Sequence, residues 1–73
     1  MDWRITNQEN YLMGVHLKHK EFYPKTPNDH AHCEFCWYTF TDGTIGYATF
    51  DEKHWICDKC YHDFRKMFQW RVT

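Results

Sequence analysis

Cys57-Asp58-Lys59-Cys60-Tyr61-His62-Asp63-Phe64 (57–64) decides the fold, because a C-x-x-C pair sits here on a segment with helical periodicity. Cys57, Cys60, Tyr61, Phe64 and Phe68 share one face, while Asp58, Lys59, His62, Asp63 and Lys66 fall elsewhere. The pattern predicts an amphipathic helix over 58–68 that offers Cys60 from its first turn. A thiolate is well placed there, since the free N–H groups and positive dipole end of a helix stabilise negative charge.

A second pair, Cys33 and Cys36, lies upstream and completes C-x2-C-x20-C-x2-C. Each C-x-x-C turn brings two sulfurs to one side of the backbone, and two such turns make a tetrahedron around Zn²⁺. The expected ligands are Cys33, Cys36, Cys57 and Cys60, holding one structural zinc in a closed site without an open position for substrate. A pair of disulfides, or an unligated redox C-x-x-C, fits less well. Met1-Asp2-Trp3-Arg4 does not resemble a secretory signal, and neither pair is set in a thioredoxin-like element. Reduced thiols without an export signal predict a cytoplasmic protein, and Met1 suggests a complete small open reading frame. A 73-residue chain is near the limit at which a hydrophobic core alone suffices. A structural zinc adds on the order of 10–16 kcal/mol of apparent folding free energy, so metal and fold are expected to be inseparable.

Between the pairs, Thr41-Asp42-Gly43 reads as a turn and residues 46–50 as a strand. Asp51-Glu52-Lys53 reverses the chain into a second strand, His54-Trp55-Ile56-Cys57. A two-cysteine turn, a hairpin, and a helix carrying the last cysteines together resemble the treble-clef zinc finger. The resemblance covers residues 33 to 69 and implies a small α+β zinc-binding domain. A zinc ribbon, with both pairs on hairpin turns, is the competing architecture, and the helical pattern of 57–64 weighs against it. The expected organisation is an N-terminal helix–strand extension, 1–29, packed on a zinc module, 30–73. In the extension, Thr6 to Glu9 fits a capping box for a short helix ending at Gly14, with Trp3, Tyr11 and Leu12 inward. Residues 15–22 then alternate as an exposed edge strand, and Pro24, Pro27 and Asn28-Asp29 mark a connection.

The chain as a whole also resembles a group of small, uncharacterised bacterial proteins. Asp2-Trp3-Arg4, Gln8-Glu9, Tyr11-Leu12, the stretch His30 to Trp37, and His54 to Cys57 carry that impression. It implies no activity.

His30 and His32 alternate in an extended segment and share a face, and His54 could approach across the hairpin with Asp29 as a carboxylate. Such a set could hold a second metal and support metal-dependent hydrolysis. The plainer expectation is that His32 or His54 donates to a thiolate or carbonyl beside the zinc, and that His62 is solvated. Treble clefs include metal-dependent nucleases of the HNH type, which His54 and His62 could caricature. Cys57 and Cys60 occupy the region where such an enzyme binds its catalytic metal, which argues against that reading. The chain contains no serine and only three glycines, so serine nucleophiles and Gly-rich phosphate loops are excluded.

Formal net charge is −1, and four thiolates with one Zn²⁺ would bring it to about −3. Phosphate binding needs a basic footprint, whereas here Lys18, Lys20 and Lys25 make only a small patch. Nucleic-acid binding by aromatic stacking is the disfavoured alternative. No apolar run approaches the roughly eighteen residues of a membrane span. Four Trp, five Tyr and six Phe exceed what a small core hides. The sequence thus favours a non-enzymatic module that binds another protein or itself. Trp37, Tyr38, Tyr47, Trp55 and Trp70 are the candidate anchors.

Overall fold

The central strand pair sets residues 16–21 against 45–49 and buries Leu17, Gly46, Tyr47 and Ala48. The computed structural model describes residues 2–72, so Met1 and Thr73, the outermost residues of the two expected segments, lie outside the described residues. Its elements are α1 (Glu9–Leu12), β1 (His16–Glu21), β2 (Ala31–His32), β3 (Thr39–Phe40), β4 (Ile45–Thr49), β5 (Trp55–Cys57), α2 (Asp58–Phe68) and β6 (Arg71–Val72). β1 pairs antiparallel with β4, setting His19 opposite Tyr47, and β4 pairs antiparallel with β5. The four-stranded sheet runs β5-β4-β1-β6, and β2 and β3 form a separate two-stranded ribbon. Gly46 in β4 is open for a packing reason: a Cβ there would strike the Phe40 ring and come within 2.9 Å of the Ile56 carbonyl oxygen. Its absence lets the ribbon lie against the sheet.

α2 has the boundaries its periodicity predicts. Asp58 in its first turn and Arg65 and Lys66 in its last complement the dipole. No glycine follows to stop it. Gln69 takes the left-handed conformation instead, at φ +57°, and its N–H donates to the Arg65 carbonyl. Phe64 and Phe68 are buried against Phe35, which the first cysteine turn supplies; the ring centroids lie 4.8 and 5.4 Å from that of Phe35. Tyr61 is half-buried and stacks on Tyr47 at 3.7 Å.

Three expectations for the N-terminal residues change. The capping box does not form: α1 begins after Gln8, without a side-chain cap. Gln8 is instead fully buried. Its carboxamide accepts from the Thr6 N–H and donates to the carbonyls of Arg4 (2.9 Å) and Glu34 (2.7 Å). Trp3 is 72 % exposed and does not fasten this segment; Gln8, Leu12 and Arg4 do, and Tyr11, though its ring is exposed, adds a bond to Glu34. The outer side of β1 is covered in part, because β6 pairs parallel with its first two residues, His16 and Leu17. Gly14, at φ +71°, donates its N–H to the Phe68 carbonyl, and Trp70 Nε1 donates to the Leu12 carbonyl. The two ends of the chain are thereby laced together. Among the described residues no helix is long and apolar enough to cross a membrane.

Candidate metal centre

The first cysteine turn is closed by backbone hydrogen bonds. Cys33 N–H donates to the Tyr38 carbonyl and Trp37 N–H to the Cys33 carbonyl. Closing so tight a loop forces Trp37 to φ +68°, a conformation that costs a residue with a Cβ about 1–2 kcal/mol. Glu34 N–H donates to the Trp55 carbonyl at 2.8 Å, which ties this turn to β5. The second pair needs no loop. Cys57 ends β5 in an extended conformation and serves as the N-cap residue of α2, and Cys60 follows in the first turn.

The two turns bring the four Sγ atoms within 4.8 Å of one another, and Cys36 Sγ lies 3.5 Å from Cys57 Sγ. A zinc–sulfur bond of about 2.3 Å gives a tetrahedron with edges of about 3.8 Å, so the set fits Zn²⁺ with little adjustment. Cys33, Cys57 and Cys60 are buried, and Cys36 is partly exposed. Electrostatics point the same way. Hydrogen bonds, first from the Cys57 thiol and then from backbone N–H groups, pull Cys33 to about 5. The neighbouring Cys33 and burial push Cys57 up, while burial and then the Cys33 charge push Cys60 up to about 12. Alone, the cluster cannot hold four negative charges; a bound divalent cation relieves that conflict.

Arg4 is the residue that sequence reasoning missed. Its guanidinium donates to Cys60 Sγ at 3.5 Å and to Asp63 at 2.9 Å. Asp2 grips it through both carboxylate oxygens, at 2.9 and 2.6 Å. It also lies 4.4 Å from the Phe64 ring centroid. The hydrogen bonds from Arg4 hold the Asp2 carboxyl at about 2, and those to Asp2 raise the Arg4 pKa further. Nothing in sequence spacing relates position 4 to position 60.

The histidines do not assemble a second centre. Among the described residues, only the four cysteines form a group of three or more potential ligands within reach of one ion. His54 Nδ1 lies 3.2 Å from Glu34 Oε2, while Tyr11 donates its hydroxyl to Glu34 Oε1 at 3.0 Å. Burial and that carboxylate push the Tyr11 phenol up to about 12. The His30 and His32 rings meet edge to face at 4.9 Å beside a cleft of about 730 Å³, with each Nδ1 near a backbone carbonyl. His62 pairs with Asp58 on the exposed side of α2.

The candidate anchors divide. Tyr47, Trp55 and Trp70 are core residues, whereas Trp37 and Tyr38 are 71 % and 56 % exposed. Tyr47 and Trp70 are covered by the α2 rings of Tyr61 and Phe68, and Trp55 is covered by Phe22 and Phe40. The other two lie on the outside of the first cysteine turn.

The chain matches no family model, no curated protein and no solved structure. The four-cysteine cluster therefore stands on its own geometry, which is that of a metal site suited to structural zinc.

Proposed function

We propose that this chain is a non-enzymatic zinc module of the treble-clef type whose role is to bind another protein. The element order supports the architecture: a cysteine turn between β2 and β3, the β4–β5 hairpin, then α2 with Cys60 in its first turn. The closed four-thiolate set supports a structural metal, since all four positions around the ion would be taken by protein sulfur.

One observation carries the binding role. Trp37 occupies a left-handed backbone position that glycine would fill without strain, and it is left exposed beside Tyr38. A large aromatic held rigidly at a surface, on a metal-locked turn, suits an interface anchor. The test is native mass spectrometry of the zinc-loaded protein, followed by affinity capture with wild type and a Trp37→Gly, Tyr38→Ser double variant. One zinc per chain, and a protein partner retained at 0.5 M salt by wild type alone, would support the reading. Salt-sensitive retention of single-stranded nucleic acid would replace it.

A further inference from the structure

The four sulfurs are not equally reachable. Cys33, Cys57 and Cys60 are 1 %, 9 % and 0 % exposed. Cys33 Sγ also receives N–H groups from Phe35 and Cys57 at 3.4 Å, and Cys60 Sγ receives the Arg4 guanidinium. Such donors draw electron density from sulfur and lower its nucleophilicity. Cys36 is partly exposed and lines a cleft of about 410 Å³ together with Asp2, Trp3, Arg4, Lys59 and Cys60. That volume is many times the roughly 30 Å³ share of one water molecule, so a small oxidant can enter. Behind Cys36 stands a second thiol group, Cys57 Sγ, 3.5 Å away.

From this arrangement we propose that Cys36 is an oxidant-entry site: a peroxide reaches it through the cleft, Cys57 closes a disulfide on it, and the metal is released. The proposal rests on the zinc reading above. The Cys36 thiolate attacks one peroxide oxygen, the O–O bond breaks, hydroxide leaves, and the sulfur becomes a sulfenic acid. The Cys57 thiolate then attacks that sulfur and expels a second hydroxide as the S–S bond forms. Two electrons pass from the sulfur pair to the peroxide, which is reduced to two hydroxides. Zinc keeps two of its four protein ligands and dissociates. Arg4 confines the chemistry to this pair by holding and shielding Cys60.

The zinc-loaded wild-type chain is treated with substoichiometric hydrogen peroxide in the presence of a chromogenic zinc chelator. Thiol labelling and peptide mass spectrometry then locate the first oxidised sulfur. With a sulfenic-acid trap added at the same time, the adduct should form on Cys36 roughly fivefold more than on any other cysteine, in line with its exposure. A 36–57 disulfide should accumulate in step with released zinc, and the release rate should rise with peroxide concentration. Equal modification of all four cysteines, or a release rate independent of peroxide, would overturn the proposal while leaving the zinc reading intact. A protein that carries no zinc before treatment would overturn both.

Discussion

The arm carrying Cys33 and Cys36 hangs on two-residue strands and a tight turn, whereas the arm carrying Cys57 and Cys60 joins a three-residue strand to an eleven-residue helix. The second arm makes most of its hydrogen bonds within regular secondary structure. The first depends on a few long-range bonds, a strained Trp37 and the packing of Phe35 and Phe40. Backbone hydrogen bonds within α2 let the second arm keep more residual order than the first when the metal is removed, although an eleven-residue helix is only marginal on its own. One half of the candidate metal site is thus prepared by regular secondary structure, and the other half by a tight turn held through long-range contacts.

Removing zinc tests that contrast most severely. Chelation should cost on the order of 10 kcal/mol of apparent stability, and Cys57→Ser or Cys60→Ser should abolish the cooperative thermal melt in reducing buffer. Hydrogen exchange of the metal-free chain should show amides of residues 33–40 unprotected while those of α2 keep partial protection. Equal loss in both arms would break the comparison. Gly46→Ala attacks the junction between ribbon and sheet. Its Cβ meets the Phe40 ring and the Ile56 carbonyl, so a loss of about 2–3 kcal/mol is expected in chemical denaturation of the zinc form.

Arg4→Ala removes the clasp on the second arm and leaves Asp63 and Cys60 without their cation. A loss of about 1–2 kcal/mol is expected, discounted for partial exposure, with faster zinc transfer to a chelator. Trp37→Gly should do the opposite to the first arm. Relief of the left-handed strain should raise stability by about 0.5–1 kcal/mol, net of the added unfolded-state entropy; a fall would show that the exposed ring supports the turn.

Glu52→Gln is the mildest change, since the Lys18 and Lys20 pairs it breaks are on the surface; a few tenths of a kcal/mol is expected. Hydrogen bonds from the two lysines hold Glu52 at about 2, below its ordinary 4.5. A carboxyl depressed by folding stabilises fully above the unfolded value and loses that contribution as pH falls through the folded one. The melting difference between wild type and variant, measured with excess zinc, should therefore hold steady at neutral pH and shrink below about 4.5.

α2 was legible because eleven residues repeat one pattern, and the cysteine set because zinc chemistry admits few spacings. The hairpin was legible to within a residue at its ends: β4 covers 45–49 where 46–50 was expected. Thr6 misled as a cap because the buried Gln8 carboxamide, and not Glu9, accepts the Thr6 N–H. A carboxamide serving three backbone groups leaves no periodic trace. The roles of the aromatics were illegible for a similar reason. Trp37 and Trp55 are the same residue type near a cysteine in sequence, yet one lies outside a turn and the other is packed against Phe22 and Phe40.

The sequence by itself determined the four cysteines as candidate metal ligands, the helix that presents Cys60 behind its N-cap Cys57, and the hairpin between the pairs. Each of these is set by short-range spacing, which is written directly in the order of residues. Only the tertiary structure decided which sulfur faces an open cleft, that Arg4 reaches across to Cys60, and which aromatics stay outside. Those features join residues far apart in the chain, 59 positions in the Arg4–Asp63 pair beside Cys60, and they arise only when distant surfaces are packed together.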